Sequence, residues 1–332
     1  MVGDNVRLND VPLFRDESLD WHKRICLDWI TATMTVARLG TTAIRITAHN
    51  GVPAGGFIGC PFDVYARGMG NRFCRICGEH KPLTLEHIPP RSTGNDHVVV
   101  VHRGDEAVMH SLFDMEVRDD DGYRQSHGMT FKTLCEDCNE YLGDNYVETF
   151  KGLYLDFAHE SGDILDGLDR DRNESETDGV ERYCRFDLNE GFRPLAFVKQ
   201  VVSNFCATTA PGSMLDCKDF LLDRGNTSLP ARYRLHMAVL PKLDGESVFS
   251  GWMRVLFDDG TFCDMAFIRM PPFGFVLYDT VSSTYLPNRA GDITPMSRMG
   301  WDLTGRITLV LPTVTGRNTS RPYLWGRYQN AV

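Results

Sequence analysis

Long apolar runs are missing from this 332-residue chain, and no stretch approaches the length needed to span a bilayer. The opening residues are acidic (Asp4, Asp10, Asp16, Glu17) and lack the basic-then-apolar order of a signal peptide. The sequence therefore predicts a cytoplasmic protein with no membrane partner. Positive charge is also short. A formal net charge of −10 argues against a protein that coats nucleic acid non-specifically, because neutralising phosphates takes clustered Lys and Arg. No phosphate-cradling glycine loop, serine elbow or internal repeat is present, so nothing points to a nucleotide cradle, a serine hydrolase or a solenoid.

What is present is an ordinary globular composition, 42% hydrophobic and 24% charged, with ten cysteines. Six of these (Cys26, Cys60, Cys184, Cys206, Cys217, Cys263) are scattered singly among apolar neighbours and read as buried reduced thiols. The other four form two Cys-x-x-Cys pairs, Cys74/Cys77 and Cys135/Cys138. Each pair makes a tight knuckle whose thiolates converge, and two knuckles complete a tetrahedral site, so one structural zinc is expected on these four residues.

Between the knuckles, Pro82-Leu83-Thr84-Leu85 leads into Glu86-His87 and then Pro89-Pro90. Prolines lack the backbone N–H that a paired strand needs, so the strand should stop there. Adjacent strand residues face opposite ways, and Glu86 and His87 can share one centre only where the backbone leaves that geometry. Asn139 follows the last cysteine and opens a stretch to Phe157 in which Leu142, Tyr146, Phe150, Leu153, Tyr154 and Phe157 recur near helical spacing. A carboxylate and an amide oxygen are hard ligands suited to Mg²⁺ or Mn²⁺, with His87 as the base.

Cys-x-x-Cys, Leu-Glu-His-Ile-Pro-Pro-Arg-Ser and Thr-Leu-Cys-x-x-Cys-Asn-x-x-Leu-Gly together resemble the HNH endonuclease family, in the branch with a four-cysteine zinc. The resemblance covers residues 70–157. It implies a ββα-metal core of two antiparallel strands and a helix around one catalytic divalent ion. By position it makes Glu86 and Asn139 metal ligands and His87 the general base. The family's middle Asn, which helps orient the catalytic loop, falls at Thr130 or its neighbours, and His127 is a nearby supporting candidate. The activity implied is metal-dependent hydrolysis of phosphodiester bonds in DNA, with Arg91 and Lys132 as substrate-binding cations. A non-catalytic zinc module that binds nucleic acid or protein is the alternative. Such a module has no need of Glu86-His87 or Asn139.

The expected fold class is α+β, a ββα-metal module followed by an α+β domain with a mainly antiparallel sheet. The boundaries read as an N-terminal extension at 1–68, the nuclease module at 69–160, an acidic linker at 161–182 and a C-terminal domain at 183–332. Ser18 to Leu39 reads as an amphipathic helix and Pro53 to Gly56 as a loop. Met69 stands where modules of this kind often begin, so translation is expected to start there. Asp119-Asp120-Asp121-Gly122 reads as a solvated turn between strands, since the ordered spacing of a calcium loop is absent. His80, His97, His102 and His110 read as surface or packing histidines.

In the C-terminal part, helices are expected over Pro194 to Thr208 and Ser213 to Leu222. Strands are expected over Leu235 to Leu240, Trp252 to Phe257, Phe262 to Met270, Gly274 to Tyr278 and Ile307 to Leu311. Asp259-Gly260 marks a tight hairpin. Arg232, Arg234, Arg254 and Arg269 are expected on the wet face of the sheet. Substrate positioning, homodimer formation or binding of a partner protein are the roles open to this part.

Overall fold

The computed structural model describes residues 43–45, 55–59, 73–101, 123–160, 182–188, 191–240, 247–257, 261–284, 291–305 and 307–313. The helix expected over 18–39, the Asp119–Gly122 turn, most of the acidic linker, His102 and His110 lie outside them. In chain order the strands are β1 (Ala43–Arg45), β2 (Gly55–Gly59), β3 (Leu83–His87), β4 (Val99–Val101), β5 (Tyr123–Gln125), β6 (Thr130–Cys135) and β7 (Arg182–Leu188). They continue with β8 (Tyr233–Val239), β9 (Val248–Phe249), β10 (Met253–Phe257), β11 (Phe262–Met270), β12 (Phe273–Asp279) and β13 (Ile307–Thr313). The α-helices are α1 (Glu136–Glu160), α2 (Pro194–Thr208) and α3 (Lys218–Leu222).

The chain is α+β, and its main sheet runs β1-β2-β10-β11-β12-β8-β13-β7, with β9 also pairing β11. Pairing is antiparallel throughout except between β13 and β8. The β10–β11 and β11–β12 hairpins follow from sequence. Asp259-Gly260 separates the first pair, and Pro271-Pro272, unable to donate to a ladder, separates the second. Two pairings were not legible. Gly55 and Gly56, expected in a loop, open β2, which pairs with β10 about 200 residues later in the chain. β7 joins β13 at the other edge. β1 and β2 both precede Met69.

Helix α1 buries Leu142, Tyr146, Phe150, Leu153 and Phe157, one stripe at helical spacing. Each such side chain stabilises by about 1.5–3 kcal/mol relative to exposure. Helix α2 begins with Pro194, which suits a first helical position, and buries every residue from Pro194 to Ala207. The Phe150 and Phe197 rings stack at 5.9 Å, and both approach Phe275 of β12. The two helices and the sheet thus share one core, which extends from Cys74 to Leu311. The second C-terminal helix is shorter than expected: Leu215–Cys217 is a 3-10 turn and only Lys218–Leu222 is α-helical.

Polar ties cross the same boundary. The Tyr146 hydroxyl donates to the Leu221 carbonyl at 2.6 Å and Tyr154 to Pro271 at 2.7 Å. Arg75, inside the first knuckle, reaches the Ala207 carbonyl near the end of α2 at 2.7 Å. Of the four arginines expected on the wet face, only Arg234 is exposed. Arg269 is buried, Arg254 grips the buried carboxylate of Asp264, and Arg232 pairs with buried Asp279. Arg234 pairs with Asp292 at 3.2 Å. Two acids directly opposite each other on β11 and β12 have drawn the cations inward.

Candidate metal centre and its hairpin

β3 and β6 pair antiparallel, and β6 runs without a break into α1. The knuckles bracket this unit. Cys74 and Cys77 lie on a turn closed by Gly78 N–H donating to the Cys74 carbonyl at 2.9 Å, with Gly78 at φ +75°. Cys135 ends β6 and Cys138 sits in the first turn of α1. All four Sγ atoms lie within 4.8 Å of one another, with Cys77 and Cys135 at 3.8 Å. Tetrahedral zinc with bonds of about 2.3 Å holds its sulfurs about 3.8 Å apart, so the set fits that ion and is too wide for a disulfide. Hydrogen bonding from the Cys138 thiol pulls Cys74 far below the ordinary thiol range, and the same bond pushes Cys138 upward. Among the described residues this is the one cluster of His, Cys, Asp or Glu arranged to hold a metal.

The hairpin is not regular. Thr84 pairs with Leu134 and Glu86 with Phe131, so Lys132 and Thr133 together face Leu85. Such a bulge bends the strand beside it. Glu86 is 8% exposed, while His87, the last strand residue, is half-buried. Burial alone raises the Glu86 carboxyl to about 8, and among the described residues no donor or cation reaches it. A buried carboxylate without a partner is costly, which suits an acid that receives a cation.

Asn139 is pinned to the same strand. Its Nδ2 donates to the Thr84 hydroxyl and to the Leu85 carbonyl, both at 3.1 Å. With its donors turned to β3, the amide oxygen remains as an acceptor. His87 is fixed from the turn that precedes β6, its Nε2 lying 2.9 Å from the His127 carbonyl. A carbonyl only accepts, so Nε2 carries the proton and Nδ1 the free lone pair. Partial burial lowers the His87 pKa, the carbonyl contact opposes this, and the charge of Arg91 adds to the lowering. The net shift favours the neutral imidazole, the form that can take a proton. Arg91, in the 3-10 turn Arg91–Thr93, is exposed, as is Lys132 on β6.

No protein-family model, curated protein or solved structure matches the chain. Its function therefore has to be argued from the residues themselves. Thr130, the position of the expected middle Asn, stands directly across from His87 in the ladder and donates its backbone N–H to the Gln125 side-chain oxygen. It offers no amide. His127 contributes through its carbonyl, not its ring. Asn95 and Gly128 escaped the sequence reading, since an Asn beside Gly94 after two prolines reads as turn chemistry and nothing local says whom it contacts. His80 meets Phe73 edge-on, His97 bonds the Gly94 carbonyl, and both are exposed surface histidines. No helix among the described residues is long and apolar enough to cross a membrane.

Proposed function

We propose that the chain is a metal-dependent endonuclease of the HNH type that hydrolyses phosphodiester bonds in DNA, built on a ββα-metal module stapled by zinc at Cys74, Cys77, Cys135 and Cys138. What supports this most is a buried carboxyl, Glu86, that no described donor or cation reaches, together with an Asn139 amide whose donors are both committed to the same strand, β3. Those two oxygens suit Mg²⁺ or Mn²⁺, hard cations that take oxygen ligands and keep some of their water. When bound there, such a cation supplies charge that polarises the scissile phosphate and eases departure of the 3′ oxygen.

The remaining chemistry belongs to the chain. His87 accepts a proton from water at Nδ1 while Nε2 stays on the His127 carbonyl. The water oxygen bonds to phosphorus as the bond to the 3′ oxygen breaks, leaving a phosphate and a hydroxyl end. Arg91 and Lys132 contact neighbouring phosphates from the exposed side. With a net charge of −10, binding should be weak and salt-sensitive unless a partner delivers the DNA.

Purified protein incubated with supercoiled plasmid tests the reading. Nicked or linear product should appear with Mg²⁺ or Mn²⁺ and not with EDTA, and His87→Ala should cut about 10²–10⁴-fold more slowly. A His87→Ala variant as fast as the native protein would overturn it.

A further inference from the structure

The ladder between β3 and β6 ends abruptly. Ile88 N–H donates to the Met129 carbonyl at 3.2 Å, and the next two residues, Pro89 and Pro90, have no N–H to give. Met129 therefore needs partners from elsewhere, just where the chain turns away from His127. They come from one side chain. Asn95, 6% exposed, donates from Nδ2 to the Pro89 carbonyl at 2.6 Å and to the Met129 carbonyl at 3.0 Å. Its Oδ1 accepts from Met129 N–H at 2.6 Å. A carboxamide has the donor and acceptor pattern of a peptide group, so Asn95 continues the ladder that proline interrupts.

Two further observations show that the segment is shaped around this amide. Gly128 has φ +78°, and a Cβ there would collide with both the backbone and side-chain oxygens of Asn95. Gly128 N–H also donates to the His97 carbonyl at 2.8 Å, closing the 95–97 turn onto the same three residues. The segment so clamped, 127–129, carries the carbonyl that holds the His87 ring.

We propose that Asn95 is the positioning residue of the centre: by gripping Pro89 on one side of His87 and Met129 on the other, it fixes the His127 carbonyl and, through it, the imidazole. Asn95 touches neither substrate nor metal in this role. The assignment rests on His87 being the base, but the orientation of the ring can be read without any cleavage. Asp is the discriminating replacement, because it keeps the shape and the acceptor while removing both donors. The Pro89 and Met129 carbonyls then face an oxygen.

The experiment uses the zinc-loaded full chain labelled with ¹⁵N-histidine, with the His87 signals assigned by their loss in His87→Gln. In the native protein the long-range ¹H–¹⁵N pattern should report Nε2–H at His87. In Asn95→Asp it should report a mixture of both tautomers, with zinc content and circular dichroism unchanged. In the plasmid assay kcat should fall about ten- to a hundredfold with KM little moved, the size expected when a reacting group is misplaced by about an ångström. Gly128→Ala, which displaces the same amide from the other side, should give the same tautomer mixture. Combined with Asn95→Asp it should add nothing.

An unchanged His87 tautomer in both variants overturns the proposal, whatever the nuclease assay gives. Native protein that shows the Asn95-dependent tautomer but does not cut DNA upholds the positioning role and sinks the nuclease reading instead. If Asn95→Asp does not fold, the Gly128→Ala spectrum decides.

Discussion

Asp264 and Asp279, opposite each other in the main sheet, are fully buried, and each is met by an arginine. Arg254 forks onto Asp264 with two bonds of 2.7 Å, and Arg232 holds Asp279 from the preceding loop. Glu86 in the β3–β6 hairpin is nearly as buried, and among the described residues no positive side chain meets it. A few residues away, four thiols converge with the spacing of a tetrahedral metal. One region carries its own counter-charges, and the other sets an acid that no described cation meets near four thiols spaced for a metal. The sheet's acids are neutralised within the fold, whereas on the proposed reading a bound cation neutralises the hairpin's acid, since a buried charge persists only where something neutralises it.

The largest effect that could break this contrast is removal of the zinc. Structural zinc contributes about 10–16 kcal/mol to small modules, as much as the whole stability of a typical domain. Chelation, or Cys135→Ser, should unfold the hairpin and expose the Tyr146 and Phe150 face of α1, seen as a fall in helical circular dichroism and a lowered Tm. Native protein should carry one zinc per chain by mass spectrometry of metals. Retention of full Tm without metal would remove the hairpin's side of the comparison.

Next in size is Arg254→Met, which leaves Asp264 buried and unpaired beside Asp279. Breaking such a pair costs about 3–5 kcal/mol, to be read from denaturant unfolding. A loss below about 1 kcal/mol would mean that the arginine does not hold the acid in place.

Glu86→Gln should behave the opposite way. Folding raises the Glu86 carboxyl from 4.5 to about 8, so the folded, cation-free chain holds more protons than the unfolded one across that window. Stability from the neutral carboxyl is full below pH 4.5 and is lost as pH rises to about 8, at up to about 1.4 kcal/mol per unit. Glu86→Gln should remove that slope and leave Tm at pH 8 no lower than native, while abolishing Mn²⁺ binding. In the native chain protons compete for the same oxygen, so apparent Mn²⁺ affinity by titration calorimetry should climb between pH 6 and 8 and then level off. A pH-independent affinity would show that Glu86 is not a ligand.

Much of the centre could be read before any coordinates. Paired cysteines announce a metal because two short knuckles can do little else at that spacing. The strand that carries Glu86 and His87 stops at Pro89-Pro90 for want of N–H groups, and the α1 stripe from Leu142 to Phe157 follows from helical periodicity. The bulge opposite Leu85 could not be read, because it depends on how two distant segments share a ladder. The inward turn of Arg254 and Arg269 was also hidden. Alternating charge along a strand looks the same whether the charged face is wet or packed on buried acids.

The sequence by itself determined the ingredients whose chemistry is local: thiols that bind a soft metal, prolines that end a strand, a helix fixed by its apolar stripe, and an α+β division of elements. Tertiary structure alone decided what meets across sequence distance. Asn95 lies 34 residues from Met129, and β2 pairs with β10 from the far side of the hairpin. A side-chain amide bonds to whichever backbone lacks a partner, and which one that is depends on where the folded chain places its unpaired groups.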